Sequence, residues 1–442
     1  MYMKKIAPMM IVALAGSCSL ASAQDYSNTL GDPGLEGSYV SKFLAYDDGT
    51  GESLYATGSF TAPGTGSGSH LARWDGTAWT GVGPGLTGGY SNTMAEFNGD
   101  LILGGYFDSA GGVADTNKLA RWDGTEWHSM GAQMSSFLNS VWDLTTHDDG
   151  SGEALIVAGN YISVGGDGTT QHISKWDGST YTPMGAPIGG AVPLIVLDVL
   201  STDDMGSNQL FACGRFLSVD GVAANNIASW DGTSWTALGD GIQRNAGFAQ
   251  GFRMATYDDG NGMALYVAGS FNLINGSESV NNIAKWDGKT WSDVGGGFNS
   301  AVRHLTVWND TLYAMGNFVS SNGVDVGQIA KWDGTNWVSA GSEVDDNVYD
   351  AIAYDTGEGS SLIFGGTFEN SVAGTSKGVV ALLDTPACLA DLTGDGKLDF
   401  FDVSDFLDAF AAQEPAADFT GDGLYDFFDV SDFLDAFGAG CP

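Results

Sequence analysis

Positive charge is what this 442-residue chain has least of: 16 Lys and Arg stand against 54 Asp and Glu, a formal net charge of −38. A surface of that sign repels phosphate backbones and argues against nucleic acid as a partner. Histidine is scarcer still, with five residues, His70, His128, His147, His172 and His304. No pair has metal-ligand spacing on one element, so they read as scattered surface or loop residues. Cysteine is limited to Cys18, Cys213, Cys388 and Cys441, and Cys213, inside the apolar run Leu210 to Phe216, reads as an inert buried thiol. No stretch approaches the roughly 20 apolar residues of a membrane helix, so no transmembrane span is expected.

The first 23 residues have the parts of a signal peptide: Lys4 and Lys5, an apolar run around Ile11 to Leu14, and Ala21-Ser22-Ala23 before the cut. The mature chain is expected to start near Gln24, secreted or at the cell surface. Cys18 lacks the Leu three positions before it that marks a lipidation site.

Glycine (66) and tryptophan (13) are abundant, and the chain repeats itself. The stretch Ile283 to Trp291, IAKWDGKTW, recurs as Leu71 to Trp79, Leu119 to Trp127, Ile173 to Tyr181, Ile227 to Trp235 and Ile329 to Trp337. Each reads as strand, two-residue Asp-Gly turn, strand. A second stretch precedes each hairpin: seven copies, from Leu54–Phe60 to Leu362–Phe368, lie about 47 to 55 residues apart. A further run, such as Val302 to Trp308, precedes each of those. Four short strands at this period describe one propeller blade. The seventh repeat ends at a worn third strand, Val379 to Leu383, and residues 25–32 are expected to supply its fourth, because an open edge strand invites aggregation. The predicted fold is mainly β: a seven-bladed β-propeller over residues 24–385, closed by an N-terminal strand, followed by a small α-helical module over 386–442.

The blades resemble the kelch family of propellers. Gly104-Gly105, Gly365-Gly366 and the Trp-Asp-Gly-Thr-x-Trp hairpins play the parts of that family's glycine pair and aromatic strands, with Trp in place of its usual Tyr and a shorter turn.

Residues 388–442 hold 13 acidic groups and one Lys, and two segments in them align at a spacing of 27. The first offers Asp391, Thr393, Asp395, the carbonyl of Lys397, Asp399 and Asp402. The second offers Asp418, Thr420, Asp422, the carbonyl of Leu424, Asp426 and Asp429. Each is a twelve-residue loop with oxygen ligands at calcium-binding positions and Gly at the sharp turn. Two calcium ions are therefore expected. Each loop runs into an amphipathic helix, Val403 to Phe410 and Val430 to Phe437. Cys388 and Cys441 bracket the module and are expected to form a disulfide in an oxidising compartment.

The paired loops resemble a type I dockerin, and the terminal Gly440-Cys441-Pro442 with Cys388 resembles the GC-type dockerins of bacterial surface proteins. The resemblance implies a cohesin-like or other surface-anchoring partner, read at Phe400, Phe401, Phe427 and Phe428. One Phe of each pair is expected to pack the small core, leaving the other for a partner.

No catalytic set emerges from the repeats. A sialidase-like reading needs three converging arginines, and Arg73, Arg121, Arg215, Arg244, Arg253 and Arg303 show no such pattern. Arg73, Arg121, Lys175, Lys285 and Lys331, each directly before a repeat Trp, mark a structural role, a stem lying on an aromatic neighbour. Acidic turns such as Asp47-Asp48-Gly49 read as solvated hairpins. The loops at one channel mouth, rich in Gly, Ser, Asn and Val, suit a glycan or protein ligand better than proton transfer. The functional expectation is a secreted, non-catalytic binding or scaffold protein docked through its tail; the alternative is an extracellular polysaccharide hydrolase or lyase.

Overall fold

The computed structural model describes residues 26–27, 30, 35–62, 70–131, 134, 139–164, 171–185, 188–189, 194–206, 208–341, 344–356, 360–371, 374–375, 378–383, 390, 392, 398, 400–413, 417, 419 and 424–439. The expected signal peptide, Cys388 and Cys441 lie outside them. Chain contacts divide the protein into one unit over Asp25–Asp384 and a second that includes Thr385–Pro442.

The first unit contains seven four-stranded antiparallel sheets among the described residues. Their first strands are Glu36–Asp47, Tyr90–Phe97, Val141–Asp148, Ile195–Thr202, Gln250–Asp258, Val302–Trp308 and Val348–Asp355. Each first strand packs against the first strand of the next sheet, and the last packs back against the first, so they form a closed circuit. The seventh sheet takes its outer strand from the other end of the unit: Tyr26 pairs with Leu382 and Ser27 with Ala381. This is the pairing expected for residues 25–32.

The recurring hairpin forms the third and fourth strands, and its turn is longer than read. In the first sheet the strands end at Trp74 and restart at Trp79, leaving four residues between them. Only Gly76 takes a positive φ, while Asp75 Oδ1 accepts the N–H groups of Thr77 and Ala78, both at 2.8 Å. The Asp is thus a side-chain cap that mimics a backbone turn. The two indoles, Trp74 and Trp79, lie 5.6 Å apart across the strands. The second Trp also reaches the preceding sheet: Trp235 Nε1 donates to Met184 O at 2.8 Å and Trp291 Nε1 to Leu238 O at 2.7 Å. Trp79 does the same to Leu30 O at 2.7 Å, beside the N-terminal strand.

In the first, third and fifth sheets the basic residue before the first Trp forms an ion pair rather than only lying on a ring. Lys175 meets Asp149 at 2.7 Å, Lys285 meets Asp259 at 2.6 Å and Arg73 meets Asp48 at 3.2 Å. These acids belong to the acidic turns, whose other Asp caps its own loop: Asp148 Oδ1 accepts Gly150 N and Gly152 N, both at 2.9 Å.

In the second unit, helices α1 (Phe400–Ala412) and α2 (Phe427–Ala439) are longer at both ends than expected. Their core is a face-to-face pair, Phe406 and Phe433, with ring centroids 4.0 Å apart, backed by Phe419. These two rings occupy equivalent places in the two repeats.

Candidate functional site

Every first strand carries a β-bulge at the same place. The register skips one residue between Val40 and Lys42, Ser91 and Thr93, Val141 and Asp143, Val196 and Asp198, Gly251 and Arg253, Val302 and His304, and Val348 and Asp350. A bulge bends the strand and re-aims the extra side chain. The skipped residues are Ser41, Asn92, Trp142, Leu197, Phe252, Arg303 and Tyr349, and all of them line one cavity of about 440 Å³. The glycine closing each second strand makes room for this geometry. A Cβ on Gly366 would sit 1.9 Å from Asn347 O, and one on Gly159 would sit 2.1 Å from Ser140 O.

The residue after each bulge forms a second, buried tier: Lys42, Thr93, Asp143, Asp198, Arg253, His304 and Asp350. Its carboxylates join sheets to one another. Asp143 accepts Thr93 Oγ1–H at 3.1 Å and Val199 N–H at 3.0 Å. Asp198 accepts Met254 N–H at 2.8 Å and an Arg253 N–H at 2.9 Å. Asp350 accepts Phe43 N–H at 2.7 Å, and Lys42 Nζ and His304 Nδ1 each lie 3.4 Å from its other oxygen. Ser41 Oγ donates to Ser91 O at 2.9 Å, and the Arg303 guanidinium lies 4.5 Å from the Phe252 ring centre. Every boundary between neighbouring sheets is therefore bridged by a polar or cation–π contact.

Burial sets the charge states of this tier. It pushes the Asp198 carboxyl up, to about 7, against the pull of Arg253. Burial pulls the other way on Arg253, but the carboxylates of Asp198, Asp143 and Asp350 raise it overall. His304 is lowered to about 3 by burial, although Asp350 draws it upward, so it is neutral at pH 7.

The cavity has a composition that the loop sequences did not suggest. Its wall holds Arg215, Arg253 and Arg303, four aromatic rings (Tyr39, Trp142, Phe252, Tyr349) and Gln250, with no Asp, Glu or His among the described lining residues. Three of the six arginines that showed no converging pattern in the sequence thus meet at one cavity, because strands far apart in sequence meet around one axis. Arg303 is held by Asn317, whose Oδ1 accepts its Nε–H at 2.6 Å, and no carboxylate among the described residues pairs with it. The buried Trp142 Nε1 has no hydrogen-bond partner among the described residues. A second recess of about 180 Å³ shares Arg215 and adds Arg244 and Phe248.

The histidines are not surface residues as a class. His147, His172 and His304 are buried, and burial lowers all three. His172 has φ 62° and its carbonyl accepts Gly159 N–H at 2.8 Å, a backbone role that Asn226 fills for Gly214. His147 Nδ1 lies 2.9 Å from Ser201 Oγ. Cys213 is fully buried and its thiol is raised well above the usual range by burial.

Of the expected tail ligands, Asp391, Thr393, Asp395, Lys397, Asp399, Asp418, Thr420 and Asp422 lie outside the described residues. Asp402 and Asp429 are fully buried in the first turns of their helices. Asp429 Oδ2 accepts Asp426 N–H at 2.9 Å while Asp426 Oδ1 accepts Phe428 N–H at 2.8 Å, a reciprocal cap. Leu424 is exposed. The four phenylalanines correct the expectation that one of each pair is in the core: Phe400, Phe401, Phe427 and Phe428 are 76%, 66%, 75% and 66% exposed. The cause is phase, since Phe406 and Phe433 already fill the space between the helices and these four sit at the helix starts on another face.

No family model matches the chain, and no curated protein matches it. Among solved structures, the extracellular domain of a hybrid two-component system from B. thetaiotaomicron aligns over 84% of this chain and 42% of its own, with 12% identity and a TM-score of 0.50. A GH74 xyloglucanase from Xanthomonas campestris aligns over 79% of this chain and 43% of its own, with 12% identity and a TM-score of 0.38. The chain spans less than half the length of these two structures. The first likeness is one of fold and fits a propeller-like ring of small antiparallel sheets. No helix among the described residues is long and apolar enough to cross a membrane.

Proposed function

We propose that this is a secreted, non-catalytic binding protein: a seven-bladed propeller with kelch-like blades, held on an extracellular or cell-surface assembly by a calcium-loaded, dockerin-like tail. The observation that carries the binding reading is the cavity at the first strands, built from arginines, rings and amides, with no carboxylate or imidazole among its described lining residues. Wall groups of this kind hold and orient a ligand.

For the tail, an all-oxygen donor set in two twelve-residue loops, each ending in a carboxylate, suits calcium. Asp391, Thr393, Asp395, the Lys397 carbonyl, Asp399 and Asp402 would hold one ion, and their counterparts from Asp418 to Asp429 the other. Bound ions would tie each loop to its helix. The paired exposed phenylalanines, repeated at both helix starts, then offer a cohesin-like partner the same surface twice. The Cys388–Cys441 disulfide belongs to this reading as a clasp on the module's ends.

The test is a thermal melt of the full-length protein in calcium and in EDTA, followed through the helical signal. Calcium at about 100 times its dissociation constant stabilises a one-site fold by about 2.7 kcal/mol. A helical transition indifferent to calcium overturns the tail assignment, and release of reducing ends from a polysaccharide would replace the binding reading with the hydrolase or lyase one.

A further inference from the structure

Resting on the reading of the cavity as a binding site, we infer that its ligand is an acidic saccharide, held by its carboxylate at Arg303 and by its ring faces on the aromatic wall. The starting point is where the protein spends its few cations. Of 16 Lys and Arg in a chain of charge −38, three arginines meet at one cavity whose described wall has no acidic residue. Arg253 is committed to Asp198. Arg303 is positioned by Asn317 and Phe252 but has no carboxylate partner among the described residues. A guanidinium stacked on a ring and steered by one amide keeps an edge of its fork for a planar, bidentate acceptor, which a carboxylate supplies. Burial lowers Arg303, which marks a desolvation cost on its charge that a bound anion would offset.

The remaining wall fits the rest of a sugar acid. Tyr39, Trp142, Phe252 and Tyr349 give flat apolar faces for C–H groups, while Ser41, Asn92 and Gln250 give hydrogen-bonding groups for hydroxyls. A volume of about 440 Å³ lies within the roughly 300–1,000 Å³ of small-molecule sites. The adjoining recess, which shares Arg215 and repeats the pairing of an arginine (Arg244) with a ring (Phe248), would take a second acidic unit of the same chain. A free carboxylate without a sugar ring would use the arginines and leave the aromatic wall bare.

The experiment is isothermal titration of the full-length protein with hexuronate disaccharides, with the matching neutral disaccharides and acetate as controls, repeated with Arg303→Gln. The melting temperature of the variant confirms that it folds. Saturable uronate binding that weakens with salt, at least about tenfold weaker binding of the neutral sugars and of acetate, and a loss of about tenfold or more in the variant are expected. Equal binding of neutral and acidic disaccharides, acetate binding as tight as the uronate, unchanged binding in the variant, or no saturable uronate binding into the millimolar range would each overturn the inference. Cleavage of a bound uronate would remove the non-catalytic reading while leaving the ligand class standing, so the two fail separately.

Discussion

The Asp350 carboxylate accepts the backbone N–H of Phe43 at 2.7 Å, joining residues 307 apart in sequence. It also faces Lys42 and His304, so one nearly inaccessible side chain links the sixth, seventh and first sheets. Replacing it with Ala strands a backbone donor and removes the counter-charge of Lys42. We expect Asp350→Ala to lower the unfolding free energy by about 3–5 kcal/mol in denaturant titration, and Asp350→Asn, whose amide oxygen still accepts from Phe43, to lose clearly less.

His304 gives a prediction with a definite sign. Its folded pKa, about 3, lies below its ordinary value of 6.5, so the unfolded chain binds the proton better. The associated stability is fully present above pH 6.5 and is lost as pH falls toward 3, with about 2 kcal/mol gone by pH 5. Lys42, Asp350 and Arg253 are the charged groups that act on it, and His70, His147 and His172 shift in the same direction through burial. Unfolding free energies measured from pH 7 to pH 5 should fall less steeply in His304→Gln than in the wild type; parallel slopes would exclude a neutral buried imidazole.

Arg253 is the counter-charge that two buried carboxyl groups share, Asp198 at 2.9 Å and Asp143 at 3.8 Å. With Arg253→Met, Asp198 and Asp143 face each other without it. Asp198 is already raised by burial, and a raised carboxyl loses folded-state stability as pH climbs from its unfolded value near 4 through 7. The variant should be destabilised by about 3–5 kcal/mol at pH 8 and markedly less at pH 5, where Asp198 takes up a proton. Differential scanning calorimetry at the two pH values checks this, and an equal loss at both would contradict it.

The tail separates packing from display. Phe406→Ala removes half of the stacked pair and should cost about 3–5 kcal/mol of the helical transition. Replacing Phe400, Phe401, Phe427 and Phe428 with Ser should move that transition by no more than about 0.5 kcal/mol per site, since all four already face solvent. A large loss in the quadruple variant would mean that these rings are structural.

Removing residues 25–32 uncovers the Val379–Leu383 edge and the partner of Trp79 Nε1. Loss of a sharp, single thermal transition and a rise in self-association are expected, by calorimetry and light scattering.

The repeat period and strand order were legible because each repeat advertises itself with Trp-Asp-Gly and with apolar runs of strand length. The N-terminal strand was legible because Tyr26 to Asp32 parallels Trp235 to Asp240. The cavity was not. Its arginines occupy different columns of different repeats, and only the shared bulge turns Ser41, Asn92, Trp142 and Arg303 toward one space. A signal was present all the same: aligning the first strands places Asp143, Asp198, Arg253, His304 and Asp350 in one column, each inside an otherwise apolar run. The exposed phenylalanines were misread because a helix face cannot be assigned before the position of the opposing helix is known, and Phe406 and Phe433 had the better claim on the interior.

The outermost strand of the seventh sheet precedes the innermost strand of the first in sequence. During synthesis, therefore, that outer strand must wait, unpaired, until residues 379–383 have been made. A truncation anywhere in between forfeits the finished circle instead of yielding a smaller one, and assembly of this body is tied to arrival of the full polypeptide.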